Sequence, residues 1–179
     1  MDNGDDAELV NRCLSGDQLA FEPLVARYQK VLFNVALRMV GNYEDARDIA
    51  QTAFVKVFEK LDTYDPKYRF FSWIYRIMMN ESLNHLQRRR IHEPLDLNLS
   101  STSDPQQDAL ALERSDLVRS ALLKLPPDDR EVLILRHYME LSYGEMSDAL
   151  GIPEKTVKSR LYTARQRLAN LLVERSATR

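Results

Sequence analysis

Ser142-Tyr143-Gly144-Glu145-Met146-Ser147-Asp148-Ala149-Leu150-Gly151-Ile152-Pro153-Glu154-Lys155-Thr156-Val157-Lys158-Ser159-Arg160-Leu161-Tyr162 is the stretch on which the fold turns. Ser142 and Glu145 have the spacing of a capping box, which opens a helix. Met146 and Leu150 lie on the inner side of that helix, and small Ser147 leaves room for a close crossing. Gly151 suits the position just past a helix end, Ile152 plugs the core, and Pro153 reopens the chain into a second helix. There Val157, Leu161, Ala164, Leu168 and Leu171 recur at spacings 4, 3, 4 and 3, one apolar stripe of a helix. The opposite side carries Lys155, Lys158, Ser159, Tyr162 and Gln166, with Arg165 at its margin. Residues 154–167 hold five basic groups and one acid. This is a helix-turn-helix pattern: apolar inside, donors and cations outside, as a recognition helix in a major groove requires. The first turn, near Thr156, also offers backbone N–H groups to a phosphate. A basic solvated face in an ordinary bundle is the other reading; capping box, glycine turn and stripe together speak against it.

Working outward, the apolar spacing stays helical and no stretch alternates with period two, so the fold class is all-α. Leu9, Val10, Cys13 and Leu14 make a short helix face closed by Gly16. Asp17 is the expected cap of a helix that turns Phe21, Leu24, Val25, Tyr28, Leu32, Val35 and Met39 inward, with Pro23 in its first turns. Gly41-Asn42 ends it. A third helix is expected from about Tyr43 to Leu61, a loop from Asp62 to Arg69, and a fourth helix from about Phe71 to Arg90. Pro126-Pro127 followed by Asp128-Asp129 starts another, because proline suits the first helical position and acids suit the positive end of the dipole.

Charge divides the 179 residues into parts. Residues 1–90 hold 13 basic and 13 acidic side chains. Residues 91–113 hold five acids and no base, together with Pro94, Pro105 and the run Ser100-Ser101-Thr102-Ser103. Residues 114–179 hold 12 basic and nine acidic groups. The expected organisation is two small helical domains, 1–90 and 115–179, joined by an acidic flexible linker over 91–114. No apolar run is long enough for a membrane span, and the acidic start Met1–Asp6 lacks the apolar stretch of a signal peptide. A cytoplasmic protein without direct membrane contact is expected. One cysteine and three scattered histidines favour neither disulfide nor metal site, and five dispersed glycines make no phosphate loop. No metal, cofactor or catalytic residue is expected. Cys13, in an apolar helical setting, reads more readily as an inert buried thiol than as a redox sensor.

Six of the 15 aromatics fall within residues 64–75: Tyr64, Tyr68, Phe70, Phe71, Trp73 and Tyr75. Lys67, Arg69 and Arg76 interleave with them. Aromatics and cations on a loop can stack unpaired bases and hold their phosphates; equally, about half of such rings are ordinarily core. Along the following helix Trp73, Arg76, Asn80, Asn84 and Gln87 share one face, and amide side chains can bond base edges. Arg88-Arg89-Arg90 ends that helix, where cations oppose its negative pole. The helix from Glu44 has a polar outer surface of Asp45, Asp48, Gln51 and Thr52, which by itself is an ordinary solvated face.

In combination these motifs resemble the extracytoplasmic-function sigma factors, the smallest class of bacterial RNA polymerase sigma subunit, from about Glu8 to Leu172. Ala20-Phe21-Glu22-Pro23-Leu24-Val25, Glu44-Asp45-Ala46-Arg47-Asp48-Ile49-Ala50-Gln51-Thr52-Ala53-Phe54 and Phe71-Ser72-Trp73-Ile74-Tyr75-Arg76-Ile77 are similar to sigma region 2. Leu125-Pro126, Arg130-Glu131-Val132-Leu133 and Thr156-Val157-Lys158-Ser159-Arg160-Leu161 are similar to region 4.

The resemblance implies partners and roles. Asp48 and Gln51, with Asp45 and Thr52 beside them, match positions that dock region 2 on the clamp helices of the polymerase β′ subunit; region 4 meets the β flap. The Asp62–Phe70 loop, with Tyr64, Lys67, Tyr68 and Arg69, matches the one that captures a flipped base of the −10 promoter element, where stacking and pocket contacts offset the cost of unstacking. Trp73, Arg76, Asn80, Asn84, Gln87 and Arg88 fall on the −10-reading helix. Lys155, Thr156, Lys158, Ser159, Tyr162, Arg165 and Gln166 fall on the helix that reads the −35 element. The linker of this family threads the polymerase channel, and an anti-sigma factor usually holds the protein inactive. Primary sigma regions 1.1 and 3 have no counterpart here. Two other function classes fit parts of the sequence. A stand-alone helix-turn-helix regulator would leave the aromatic loop unexplained and lacks a dimerisation element. A nucleic-acid enzyme would need a metal-ligand set or a nucleophile–base pair, and no spacing supplies one.

Overall fold

A computed structural model of the chain describes residues 3–92 and 109–177, with side chains placed for 5–89 and 116–174. Eight α-helices and two short 3-10 turns make up the described residues, which contain no strand. Helices α1 (Asn3–Leu14), α2 (Phe21–Val40), α3 (Tyr43–Glu59) and α4 (Phe70–His92) form a first lobe. Helices α5 (Ala109–Lys124), α6 (Pro127–His137), α7 (Tyr143–Leu150) and α8 (Glu154–Ala177) form a second.

The first lobe is three long helices side by side with α1 across one end. Leu24, Tyr28, Leu32, Val35 and Met39 of α2 are buried against Ala46, Ala53 and Val57 of α3 and Ile74, Tyr75 and Met78 of α4. The alanines let α3 approach closely. Asp6 of α1 is buried and accepts from the Tyr28 hydroxyl and the Arg27 guanidinium, so a buried carboxylate is paired, as it must be. Burial and the adjoining carboxylate push the Tyr28 phenol well above its ordinary value. Lys56 and Glu81, 2.6 Å apart, tie α3 to α4.

Two helix starts differ from expectation. Asp17 makes no side-chain cap; its carboxylate is drawn to Arg12 at 2.7 Å, and a 3-10 turn over Gln18–Ala20 precedes α2. Asn42 instead caps α3, accepting from the Asp45 N–H at 3.1 Å. A second 3-10 turn, Leu61–Thr63, occupies the start of the expected loop. Helix α5 begins at Ala109, so 109–114 are helical although their acidic neighbourhood placed them in the linker. Ala109-Leu110-Ala111-Leu112-Glu113-Arg114 consists of strong helix formers with no proline between Pro105 and Pro126. Residues 91–92, also placed in the linker, are the last of α4, and the remainder, 93–108, lies outside the described residues.

The two lobes share one apolar cluster, joined where α2 meets α5 and α6 and where α4 meets α7. Gly41 ends α2 in the left-handed conformation at φ 79°, and a Cβ there would come within 2.5 Å of Leu123. Only glycine satisfies both the backbone and that contact. Three arginines cross the seam to backbone carbonyls. Arg119 donates to Gly41 O at 3.0 Å, Arg130 to Met39 O, and Arg76 to Ala149 O at 3.3 Å and to Asp148 O. Each acceptor lies at or just past the end of a helix, where carbonyls lack intrahelical partners and the dipole is negative.

Candidate functional site

The helix-turn-helix is built as its sequence dictates. Ser142 accepts from the Glu145 N–H at 3.2 Å while the Glu145 carboxylate accepts from the Ser142 N–H at 2.9 Å. Those bonds, with Arg69 opposite, hold the Glu145 carboxyl below the usual range. Gly151 sits at φ 66°. Ser147 does more than leave space: its hydroxyl donates to Ile152 O at 2.6 Å and fixes the turn. Val157, Leu161 and Ala164 of α8 are buried against α6 and α7.

That burial turns the other side of α8 outward. Lys155, Lys158, Ser159, Tyr162, Arg165 and Gln166 are exposed, and Thr156 is half-buried. The Ser159 hydroxyl bends back to Thr156 O at 3.0 Å, and the Thr156 N–H is taken up by Pro153 O at 2.8 Å. Arg165 lies 3.4 Å from the His137 ring, whose pKa is lowered by burial and by Arg165 and Arg136. Two neighbouring arginines of the helix point to α6: Arg167 pairs with buried Asp129, and Arg160 lies 3.9 Å from Asp128. Of the five cations counted in sequence, three therefore belong to the outer face. Lys158 is placed by its surroundings. Its ammonium stands 5.2 Å from the Tyr143 ring centroid and 3.4 Å from Glu154, and Arg136 stands 5.2 Å from the same ring. Tyr143→Ala should weaken duplex DNA binding by a factor of about two to five, the scale of an exposed cation–π contact. Tyr143→Phe should not, because the ring remains; fluorescence anisotropy at low salt separates the two.

The aromatic run divides between core and surface. Phe70, Phe71 and Tyr75 are buried, and Trp73 is half-buried. Tyr64 is buried too, its ring 5.2 Å from Phe70 and 5.5 Å from Trp73, and its hydroxyl donates to Tyr68 O at 2.8 Å. It braces the loop from within rather than offering an open stacking face. Tyr68, Lys67 and Arg69 are exposed on the loop, and Arg76, Asn80, Asn84, Gln87 and Arg88 on α4. These side chains are exposed along one side of the lobe, but two of the cations are engaged: Arg69 pairs with Glu145 and Arg76 with the end of α7.

On α3, Asp48, Gln51 and Thr52 are exposed while Asp45 turns to α4, 3.2 Å from His85 and 3.9 Å from Arg89. The polar face borders a groove of about 800 Å³ between α2 and α3, lined by Phe21, Val25, Phe33, Phe54, Val55 and Phe58, with Arg47 and Gln51 on its rim. Val55 and Phe58 are about half exposed. The polar pattern of α3 did not announce these apolar side chains beside it. The signal was Phe54, Val55 and Phe58 lying off the alanine stripe that meets α2. Among the described residues no helix is long and apolar enough to cross a membrane.

Comparison with known proteins follows the same division. The family model for sigma-70 region 2 matches residues 24–91, and that for sigma-70 region 4 matches residues 115–168. The ECF RNA polymerase sigma factor SigW of Bacillus subtilis is 31% identical over 176 residues, covering 91% of this chain and 94% of that protein. The ECF RNA polymerase sigma-E factor of Escherichia coli K12 is 33% identical over 178 residues, covering 92% and 93%. Among solved structures, CnrH in complex with the cytosolic domain of CnrY superposes with a TM-score of 0.73 at 30% identity, covering 95% of this chain and 98% of that one.

Proposed function

The chain belongs to the extracytoplasmic-function sigma factors of the sigma-70 family, and from that membership we propose how its surfaces divide the work of promoter-specific transcription initiation. Region 2 docks on core RNA polymerase through the outer face of α3. Asp48, Gln51 and Thr52 supply polar contacts, and the apolar groove beside them receives one of the β′ clamp helices. Asp45, already facing His85, contributes least. The observation that carries this assignment is the open groove contiguous with an acidic polar face. Several large apolar side chains stay accessible to water there, which a chain acting alone has no reason to maintain. Region 4 meets the β flap.

Region 4 reads the −35 duplex through Lys155, Lys158, Ser159, Tyr162, Arg165 and Gln166, with Thr156 at the helix start. Region 2 captures the melted −10 strand through Lys67, Tyr68, Arg69, Trp73, Arg76, Asn80, Asn84, Gln87 and Arg88, with Tyr64 bracing the loop. The acidic segment between 91 and the start of α5 tethers the two. Polymerisation chemistry belongs to the core enzyme, and the chain adds recognition and melting without catalysis of its own. It works in the cytoplasm under an anti-sigma factor. The similar CnrH was solved in complex with the cytosolic domain of CnrY, which supports a protein partner for this chain as well.

Size-exclusion co-elution with purified bacterial core RNA polymerase tests the docking assignment. The unaltered chain should co-elute, and an Asp48→Arg/Gln51→Ala variant should lose at least tenfold in affinity. Both changes lie on an exposed face, so melting of the free protein should be unchanged. Equal co-elution of the two forms would remove α3 from the interface; no co-elution of either would turn the reading toward a stand-alone DNA-binding regulator.

A further inference from the structure

Helix α7 lies over the upper end of the surface assigned to the −10 strand. Arg69 and Arg76 stand seven residues apart, two turns of one face. The Arg69 guanidinium pairs with the Glu145 carboxylate in the first turn of α7. The Arg76 guanidinium reaches Ala149 O at 3.3 Å and Asp148 O in the last turn. Between them the Tyr75 hydroxyl, fully buried, donates to the Glu131 carboxyl of α6 at 3.3 Å. A carboxylate and two helix-end carbonyls are what α7 offers these guanidiniums. A single strand would offer phosphate oxygens, hydrogen-bond acceptors as these are and anionic as the carboxylate is.

We propose that region 4 is an intramolecular competitor of the −10 strand, with α7 occupying Arg69 and Arg76 in place of the DNA backbone and releasing them only when the lobes separate. The proposal rests on the assignment of those two arginines to the −10 strand. It has a geometric corollary. The −35 face of α8 stays exposed in the closed chain, so duplex contact and strand capture become available in sequence rather than together. Competition of this kind is reciprocal. Whatever separates the lobes strengthens strand binding, and strand binding separates the lobes by the same factor.

The test uses the full chain with Cys13→Ser, Glu22→Cys and Asn170→Cys, the last two being exposed positions on α2 and α8, labelled for energy transfer. The probe is a short fluorescent single-stranded DNA of randomised sequence. The seam is opened from region 4 alone by Glu131→Ala with Glu145→Gln; glutamine retains the capping box, and every −10 candidate is untouched. A Tyr75→Phe variant, which keeps the ring and all of region 4, guards against misfolding of the first. The unaltered chain should show high transfer that falls on adding the strand. The opened variants should show low transfer and bind the strand about tenfold more tightly, within the usual range for coupled sites. Adding Arg69→Ala and Arg76→Ala to the opened chain should abolish that gain. Low transfer in the unaltered chain would overturn the proposal. So would an opened variant that binds no more tightly, and if Arg76→Ala still weakens its binding, the −10 assignment survives while the competition falls. Strand binding indifferent to both arginines in every form would sink the −10 assignment and the competition with it.

Discussion

Arg130→Ala should cost about 3–5 kcal/mol, because it strips one guanidinium from several buried carbonyls at once. Arg130 is 5% exposed. It donates to Leu122 O at 3.1 Å, Leu123 O at 2.6 Å and Leu125 O at 3.0 Å, the unfinished end of α5, and across the seam to Met39 O. Each buried acceptor left without a donor costs about 1–3 kcal/mol, and truncation adds a cavity. For a chain of this size the melting temperature should fall by roughly 6–20 °C. Arg130→Lys should recover only part of the loss, since an ammonium cannot reproduce the planar fork that spans these oxygens. Thermal unfolding by circular dichroism reads both. A loss below about 1 kcal/mol would show that the carbonyls find water when the guanidinium goes, and the arginine would then be a surface residue in energetic terms.

The sequence showed Arg130 and Glu131 only as part of a similarity to region 4, and local rules could say no more. What the chain encodes within a few residues was legible. The capping box of Ser142 and Glu145, the left-handed Gly151, the proline start of α6 and the apolar stripe of α8 all depend on neighbours one or two turns away. What depends on the other lobe was not. Arg130 finds Met39 91 positions away, Tyr75 finds Glu131 56 positions away, and Arg76 finds Asp148 72 positions away. No periodicity announces such pairs. Asp17 shows the same limit at short range: it has the residue type of a cap, but Arg12 on the preceding helix takes its carboxylate. The aromatic cluster failed to sort by composition because Tyr64 and Tyr68 differ in burial, not chemistry. The outer apolar side chains of α3, Phe54, Val55 and Phe58, break no periodicity, because they alternate with the polar positions of the same face and nothing local marks them as open.

The closed arrangement should loosen as pH rises through neutrality. Burial, chiefly, pushes the Glu131 carboxyl up to about 7; Asp128 pushes in the same direction, while the Tyr75 hydroxyl and Arg160 pull against it. These are the groups that face it from α4, from its own helix and from α8. Tyr75 is itself raised well above its ordinary value by burial and by Glu131, so it stays protonated throughout this range. When the lobes part, α4 leaves the carboxyl and its pKa returns toward 4.5, the ordinary value. The closed form therefore binds the extra proton. Its advantage is complete below about pH 4.5 and is lost as pH rises through about 7. At about 1.4 kcal/mol per unit, the full difference is about 3 kcal/mol between solution below about pH 4.5 and alkaline solution, of which about 1.4 kcal/mol falls between about pH 6 and about pH 8. The energy-transfer pair should accordingly report high transfer at about pH 6 and reduced transfer at about pH 8. Glu131→Gln, which can still accept from Tyr75 but cannot ionise, should flatten the profile and keep the chain closed at both ends. A slope that survives Glu131→Gln would assign the titration to another group. A flat profile in the unaltered chain would mean that water reaches the carboxyl at the seam, and that the contact with Tyr75 is not dry enough to hold the proton.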